Sequence, residues 1–368
     1  MFLLILIIKF FFLYIFNLNI LILNNMKRII LIFLCFIIIN NQRDFPAPNL
    51  KNDSLFPDLT YDAKEPISNF SVDMISYYSW FGSYGYCQDY LVSAGVCCPN
   101  LLNNQWEIID HQEIQDEHII DRYFEFNYIL FRSDINKKYI LTFPGTRDKT
   151  QLIFEITESM LVSYYNNFTN KTFNNDDNEI KIHSYFLEMY RKIEKNIFNS
   201  TTLKDISLHS DYQFIFIGHS LGGAIASIAA FNSVHEKYIS KLKNNPVLIT
   251  FGQPRTGNYY FVEKVMEYIP NIFRVVRNGD IVSLIPPRII KNKKNGYSHF
   301  GGLYVLNEDM TNFRQCKYDQ FEDFDDFGCI VNVTIHVLNH IYYFNPNLKY
   351  GKRCKENITT KYEFDMEN

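Results

Sequence analysis

A serine stands where an apolar strand pattern meets an alanine-rich helix pattern. Residues 214–217 alternate Phe and Ile, and the sequence G-H-S-L-G follows directly at 218–222. Glycines at both ends of such a sharp turn leave room for the strand and the helix to cross, and the turn pushes the serine hydroxyl outward. A hydroxyl exposed in this way can attack an acyl carbon once a base removes its proton. The pattern therefore predicts Ser220 as a nucleophile for acyl transfer.

Such a nucleophile needs a carboxylate and then a histidine, in that order along the chain. Asp280 follows a predicted strand at 272–276, at the edge where parallel sheets collect catalytic groups; an ordinary Asn-Gly-Asp turn is the alternative interpretation. The histidines after Asp280 are His299, His336 and His340. We predict His340 as the base and keep His336 as the alternative.

The four-residue spacing of His336 and His340 would also suit a metal site on one helix face. No Glu lies between them and the sequence offers no obvious third ligand. The sequence therefore predicts neither a metal nor any other cofactor.

The negative oxygen that forms during acyl transfer needs two backbone N–H donors. Leu221, directly after the nucleophile, should supply one. The other should come from the loop after an earlier strand, where Thr146 follows the sequence F-P-G at 143–145. An ordinary Pro-Gly turn is the alternative interpretation of that loop.

The elements that must position these residues alternate along the chain. The patterns predict strands at 106–109, 123–132, 138–143, 212–217, 246–251 and 272–276, and helices at 67–82, 150–165, 180–198, 221–237 and 258–269. Alternating strands and helices of this length indicate βαβ units and a mostly parallel sheet. We predict a single α/β domain over residues 45–368.

Residues 1–41 are predicted to be a hydrophobic leader outside that domain. Met26, Lys27 and Arg28 precede an apolar run at 29–39, which is the pattern of a secretory signal peptide. The apolar stretch at 2–23 is nearly long enough to span a bilayer. We favour a true start at Met26 and secretion, with membrane anchoring as the alternative.

The net charge bears on possible partners, and the cysteine content agrees with an exported protein. The 368-residue chain carries a net charge of −4 and no basic block, which argues against nucleic acid as a partner. After the leader, an even number of cysteines remains: Cys87, Cys97, Cys98, Cys316, Cys329 and Cys354. Three disulfides would allow 15 pairings, and the sequence does not choose among them. Glycosylation motifs at Asn52, Asn69, Asn167, Asn170, Asn199, Asn332 and Asn357 give weak further support.

Several motifs together resemble the fungal-type, or class 3, triacylglycerol lipases. The nucleophile turn at 218–223 is similar to theirs, and F-P-G-T at 143–146 resembles their F-R-G-[ST] loop, with Pro144 in place of the usual Arg. The segment T-F-G-Q-P-R-T-G-N at 250–258 is the most specific match beyond the turn. R-V-V-R-N-G-D at 274–280 and Y-S-H at 297–299 also match, and the resemblance covers roughly 67–344.

This resemblance implies an α/β-hydrolase fold, a mostly parallel central sheet flanked by helices and covered by a helical lid. It implies a triad of Ser220, Asp280 and His340, with Thr146 and Leu221 holding the oxyanion. His219 is then predicted to be a packing and hydrogen-bonding residue rather than a second base. The lid would carry apolar residues that meet lipid when it opens: Leu152, Ile153, Phe154, Ile156, Met160, Leu161 and Val162. A helix packed on the body of the domain is the alternative interpretation of this segment.

The function that follows is a secreted serine hydrolase acting on lipid esters at an oil–water or membrane interface, most simply a triacylglycerol lipase. A phospholipase or a soluble-ester esterase on the same fold is one alternative, because the triad does not set the head group. A non-catalytic lipid-binding protein is an alternative of a different class. No obligate protein partner is evident from the sequence.

Overall fold

The computed structural model describes residues 64–87, 92, 97–102, 105–119, 122–146, 161–163, 179–286, 296–307, 310–316, 338–344 and 354. The predicted leader at 1–41 lies outside these residues, as do the first residues of the predicted domain. Within the described residues, no helix is long and apolar enough to cross a membrane.

The strands of the described residues form one large and one small sheet. Their bounds are β1 Glu107–Ile119, β2 Arg122–Ser133, β3 Lys138–Phe143, β4 Leu161–Ser163, β5 Lys181–His183, β6 Gln213–His219, β7 Val247–Phe251, β8 Gly257–Asn258, β9 Asn271–Arg277, β10 Tyr297–Ser298, β11 Leu303–Leu306 and β12 Phe313–Gln315. The large sheet has the order β1-β2-β3-β6-β7-β9-β11-β12, and the small one the order β10-β8-β5-β4.

The centre of the large sheet is parallel, as predicted. Neighbouring strands run parallel from β3 through β6, β7 and β9 to β11. The outer strands β1, β2 and β12 pair antiparallel at the two ends. Parallel neighbours point their carboxyl ends to one edge, and that edge is where the predicted catalytic residues lie.

Helices cover both faces of this sheet. Their bounds are α1 Val72–Tyr84, α2 Pro99–Leu102, α3 Ser184–Ile197, α4 Ser200–Leu208, α5 Leu221–His235, α6 Tyr259–Tyr268 and α7 Leu338–Ile341, with a 3₁₀ turn at Val282–Leu284. Side chains of β6 point alternately to the two faces, so Phe214 and Phe216 pack on the side of α3, α5 and α6. Ile215 and Ile217 pack on the side of α1. Because both faces are covered, β6 is buried along its whole length, and residues 214–217 at its centre are all apolar.

Most predicted elements are confirmed, and the errors have local causes. The predicted start of α1 at residue 67 was wrong, because the Ser71 hydroxyl accepts the Met74 N–H at 3.1 Å and caps the helix there. The predicted helix at 180–198 instead begins with strand β5, which pairs with β4 and β8 before α3 starts. Helix α4 was missed, although Asn199 caps it by accepting the N–H groups of Thr201 and Thr202.

The predicted helical lid lies largely outside the described residues. Residues 161–163, its last described part, form strand β4 and pair antiparallel with β5. The prediction of a helix was therefore wrong for Leu161 and Val162, since pairing with a neighbouring strand decided their conformation.

Candidate active site

Ser220 lies on a strained turn between β6 and α5. Its φ is 56° and its ψ is −126°, a left-handed conformation that non-glycine residues rarely adopt. Its N–H donates to the carbonyl oxygen of Phe251 on β7 at 2.9 Å, which ties the turn to the next strand. A Cβ on Gly218 would overlap the main chain of Gly222. The glycines flanking Ser220 are therefore required by space.

The structure brings Ser220, His340 and Asp280 together in one hydrogen-bonded series. Nε2 of His340 lies 2.8 Å from Oγ of Ser220, and Nδ1 lies 3.0 Å from each carboxylate oxygen of Asp280. An ionised carboxylate only accepts, so Nδ1 carries the proton and Nε2 is left to accept from the serine hydroxyl. All three residues are buried, with Asp280 0% exposed. This is the arrangement in which a histidine can take the proton of Ser220.

Asp280 has two further donors besides His340. The Val282 N–H donates to Oδ1 at 2.9 Å, and the Tyr343 hydroxyl donates to Oδ2 at 2.9 Å. Burial, followed by the negative charge of Asp280, raises the pKa of Tyr343, so its hydroxyl keeps its proton. Its oxygen accepts the Arg277 N–H at 3.1 Å. Sequence reasoning gave Tyr343 no role of its own; its position three residues after His340 is the signal that could have suggested one.

Gly252, directly after β7, is a second residue that sequence reasoning did not assign to the site. Its φ is +56°, and a Cβ there would lie 2.5 Å from Oδ2 of Asp280 and 2.8 Å from Nδ1 of His340. The Asp280–His340 pair therefore occupies the space that any larger residue would need. The glycine within the T-F-G-Q-P-R-T-G-N segment was the available signal.

The two predicted oxyanion donors belong to segments that meet at Ser220. Leu221 is buried in the first turn of α5, where N–H groups have no partner within the helix. Thr146 follows Gly145, and a Cβ on Gly145 would lie 2.8 Å from Cβ of Ser220. The loop that carries Gly145 and Thr146 therefore contacts the nucleophile turn directly, and the donor roles of Thr146 and Leu221 stay predictions.

The other predicted histidines have different surroundings. Nε2 of His299 lies 2.7 Å from the carbonyl oxygen of Ser283, whose hydroxyl donates to the carbonyl of Asp280 at 2.8 Å. His299 therefore supports the loop that carries the acid and is not part of the series. His336 lies outside the described residues. Within the described part of the chain, no three His, Cys, Asp or Glu residues converge on a common point.

Two disulfides are defined within the described residues. Cys87 is bonded to Cys97, and Cys98 is bonded to Cys354. Cys316 is also in a disulfide. The sequence predicted disulfide use, and the structure selects these two pairs from the 15 possible pairings.

Comparison with known proteins points to one family. Residues 140–289 match the family model described as lipase (class 3), a range that includes Ser220 and Asp280 and ends before His340. A lipase of Rhizomucor miehei is 25% identical over 280 residues, which cover 75% of this chain and 69% of the relative. A lipase of Rhizopus niveus is 27% identical over 266 residues, or 70% of this chain and 62% of the relative. The matches thus span about two thirds of each relative's length.

Solved structures share the fold. A lipase from Rhizopus microsporus var. chinensis superimposes with a TM-score of 0.59 at 21% identity, covering 85% of this chain and 100% of that one. A triacylglycerol lipase whose catalytic centre is a serine-protease triad gives a TM-score of 0.60 at 24% identity, over 78% of this chain and 99% of that one. At these identities the likeness establishes the α/β-hydrolase fold.

Proposed function

We propose that this chain is a class 3 lipase that cleaves lipid esters, most simply triacylglycerol. One observation carries the proposal. His340 Nε2 lies 2.8 Å from Ser220 Oγ while Nδ1 faces the buried carboxylate of Asp280. A serine, a correctly protonated base and an orienting acid are what ester hydrolysis through an acyl-enzyme requires.

In the first half of the reaction, Ser220 Oγ attacks the ester carbonyl carbon as His340 Nε2 takes the hydroxyl proton. Asp280 stabilises the resulting histidine cation and keeps its ring in place. The N–H of Leu221 and the N–H and hydroxyl of Thr146 hold the negative oxygen of the tetrahedral intermediate. When that intermediate collapses, the bond to the alcohol breaks and His340 returns the proton to the leaving oxygen.

In the second half, water attacks the acyl-enzyme carbonyl while His340 takes a proton from the water. Collapse of the second tetrahedral intermediate breaks the bond to Ser220 Oγ, which regains its proton from His340. A fatty acid leaves, and the site returns to its starting state.

Export is part of the proposal. The described chain contains two defined disulfides, Cys87–Cys97 and Cys98–Cys354, and Cys316 is bonded as well. Disulfides persist in oxidising compartments, which supports secretion or residence in the secretory-pathway lumen. The substrate there would be a lipid ester at an oil–water or membrane interface.

A fluorophosphonate probe tests the nucleophile. We expect labelling of the wild-type protein and of the control Ser233→Ala, and none of Ser220→Ala. Ser233 is the matched control, because it lies on the same helix and its hydroxyl donates only within that helix, to Ala230 at 2.9 Å. Labelling that persists in Ser220→Ala, or an unlabelled wild type, contradicts the proposal and favours a non-catalytic lipid-binding protein.

A substrate panel on the purified chain tests the substrate class. Hydrolysis should be fastest on emulsified triacylglycerol, slower on phospholipid vesicles and slowest on monomeric short-chain esters. Preference for phospholipid would indicate a phospholipase, and no rate increase at the interface would indicate a soluble-ester esterase.

Two histidine variants on the same panel test the base. His340→Ala should abolish turnover, whereas His336→Ala should leave most of it; the reverse result would move the assignment to His336.

A further inference from the structure

His219 lies against the base but outside the Ser220–His340–Asp280 series. Its ring stacks on the ring of His340, with centroids 4.8 Å apart and planes inclined by 27°. The side chain is buried, at 3% exposure. A second imidazole this close to a catalytic base needs a definite protonation state, because its charge and its hydrogen bonds act directly on that base.

Hydrogen bonds assign the protonation state of His219. Nε2 lies 2.8 Å from the backbone carbonyl oxygen of His340, which can only accept, so Nε2 carries the proton. Nδ1 is then an acceptor, and the Tyr86 hydroxyl donates to it at 2.5 Å. Burial, followed by the proximity of His340, holds the pKa of His219 well below its usual value. His219 is therefore a neutral ring with one fixed donor and one fixed acceptor.

These contacts join three segments that are distant in sequence. Tyr86 follows α1, His219 ends β6, and His340 lies on α7. The carbonyl that His219 holds belongs to the same residue whose Nε2 lies 2.8 Å from Ser220 Oγ. Fixing that carbonyl fixes the backbone from which the base projects.

Tyr86 also contacts the loop of the predicted oxyanion site. Its hydroxyl occupies the position that a Cβ on Gly145 would need, directly before Thr146. One tyrosine hydroxyl thus lies between the loop at 145–146 and the His219 ring.

We propose that His219 is a positioning residue for the base, holding the main chain of His340 through Nε2–H while Tyr86 fixes its tautomer. This inference rests on the function proposed above. It assigns a specific task to the residue before the nucleophile: His219 sets the distance between Ser220 Oγ and His340 Nε2 without touching the substrate.

Two amide substitutions separate the two hydrogen bonds of His219. The amide of Gln extends about as far as Nε2, so His219→Gln keeps a donor for the His340 carbonyl. The amide of Asn extends only about as far as Nδ1, so His219→Asn can meet Tyr86 but not His340. On a soluble ester, we expect His219→Asn to lower kcat by about 100-fold with KM unchanged, because small misplacements of a catalytic group cost that much. His219→Gln should recover kcat to within about tenfold of the wild type.

Tyr86→Phe keeps the His219 ring and removes its donor. It should lower kcat by about tenfold, which is the size of effect expected when one hydrogen bond is lost. The matched control is Tyr84→Phe, because the Tyr84 hydroxyl is buried with no hydrogen-bond partner among the described residues. His235→Asn, at the far end of α5, is the control for the histidine change. Neither control should change kcat. Melting temperatures by circular dichroism accompany each measurement.

Three results would overturn the inference. The first is a kcat of His219→Asn within twofold of the wild type, and the second is a rise in KM in place of a fall in kcat. The third is a kcat of His219→Gln as low as that of His219→Asn. If His219→Asn does not fold, Tyr86→Phe decides, and an unchanged kcat there rejects the inference. If the wild type hydrolyses esters and the His219 and Tyr86 variants keep its kcat, the positioning role is rejected while the proposed function stands. A wild type that neither hydrolyses esters nor labels at Ser220 rejects the proposed function and this inference with it.

Discussion

At the scale of single residues, three neighbours stabilise the buried carboxylate of Asp280. Asp280 is completely buried, and burying a carboxylate is unfavourable unless hydrogen bonds replace its water. His340, Val282 and Tyr343 supply those bonds, all between 2.9 and 3.0 Å. These hydrogen bonds replace the water that the buried carboxylate loses, and burial raises the pKa of Tyr343, so its hydroxyl stays a donor to Asp280.

Asp280→Asn should lower kcat by about 10³–10⁴-fold while the protein stays folded. The amide would offer an N–H to Nδ1 of His340, which shifts the ring proton to Nε2 and removes the acceptor for Ser220. Steady-state hydrolysis of a soluble ester measures the effect. The control is Asp211→Asn, an exposed residue paired with Lys137 on the surface, which should hydrolyse at the wild-type rate. A slow control, or a fast Asp280→Asn, would contradict the tautomer argument.

At the scale of elements, neighbouring parallel strands place the site residues at the carboxyl edge of the large sheet. Strand β6 leads into Ser220, β7 ends before Gly252, and β9 ends shortly before Asp280. The strands pair in the order β6-β7-β9, so these three ends lie side by side. Close approach at this edge depends on glycine, because the acid–base pair occupies the volume beside β7.

Gly252→Ala should damage activity more than stability. The positive φ and the overlap with Asp280 and His340 should cost about 1–3 kcal/mol of unfolding free energy. The same overlap should lower kcat by about 100-fold or more, because it displaces the reacting groups. Urea unfolding and ester hydrolysis measure the two effects.

The matched control for Gly252→Ala is Gly302→Ala. Gly302 also has a positive φ, of +74°, and its Cβ would overlap the main chain of Ile272 rather than the triad. It should lose stability and keep its kcat. Equal losses of kcat in the two variants would reject the steric argument.

At the scale of the whole molecule, one covalent bond joins distant ends of the described chain. Cys98 and Cys354 are 256 residues apart in sequence, whereas Cys87 and Cys97 are 10 apart. A crosslink stabilises mainly by restricting the unfolded chain, and more so when the closed loop is longer.

Replacing both Cys98 and Cys354 by Ser should lower the unfolding free energy by about 2–5 kcal/mol. The Cys87→Ser, Cys97→Ser double variant should lose less, because it opens a shorter loop. Urea unfolding of the two variants beside the wild type gives the comparison. If the Cys87→Ser, Cys97→Ser variant loses more unfolding free energy than the other one, local contacts of Cys87 outweigh chain entropy.

Buried tyrosines should make the unfolding free energy depend on pH in alkaline solution. Burial raises the pKa of Tyr84, Tyr128, Tyr139, Tyr297 and Tyr343 above the usual value of 10. Above pH 10 the unfolded chain therefore releases protons that the folded chain retains. The folded state then binds more protons, so the unfolding free energy must fall as the pH rises.

The expected slope is about 1.4 kcal/mol per pH unit for each such tyrosine, starting near pH 10. Urea unfolding between pH 9 and 12 measures it. Tyr84→Phe should reduce the slope by one such increment and leave stability below pH 9 nearly unchanged. A stability that is flat above pH 10 would contradict the burial of these hydroxyls.

The sequence predicted the long central elements well and the short peripheral ones poorly. Strand β3 has the predicted bounds, and α5 begins at the predicted residue, because their apolar patterns extend over whole elements. Strands β5, β8 and β10 have two or three residues each and were missed. Their conformation comes from pairing with one another in the small sheet, which leaves little trace in local sequence.

The sequence by itself determined which residues could do the chemistry: a serine on a strand–turn–helix, then an acid and a histidine in the expected order. Those features are local, and their order along the chain is fixed by the sequence. Only the tertiary structure decided which disulfides form and that Asp280 and His340 pack against Gly252. It also decided that Tyr343 donates to Asp280 and that His219 lies within hydrogen-bond distance of the His340 carbonyl. Apart from the Cys87–Cys97 disulfide, these contacts join residues 28 to 256 positions apart, and only the folding of the chain brings them together.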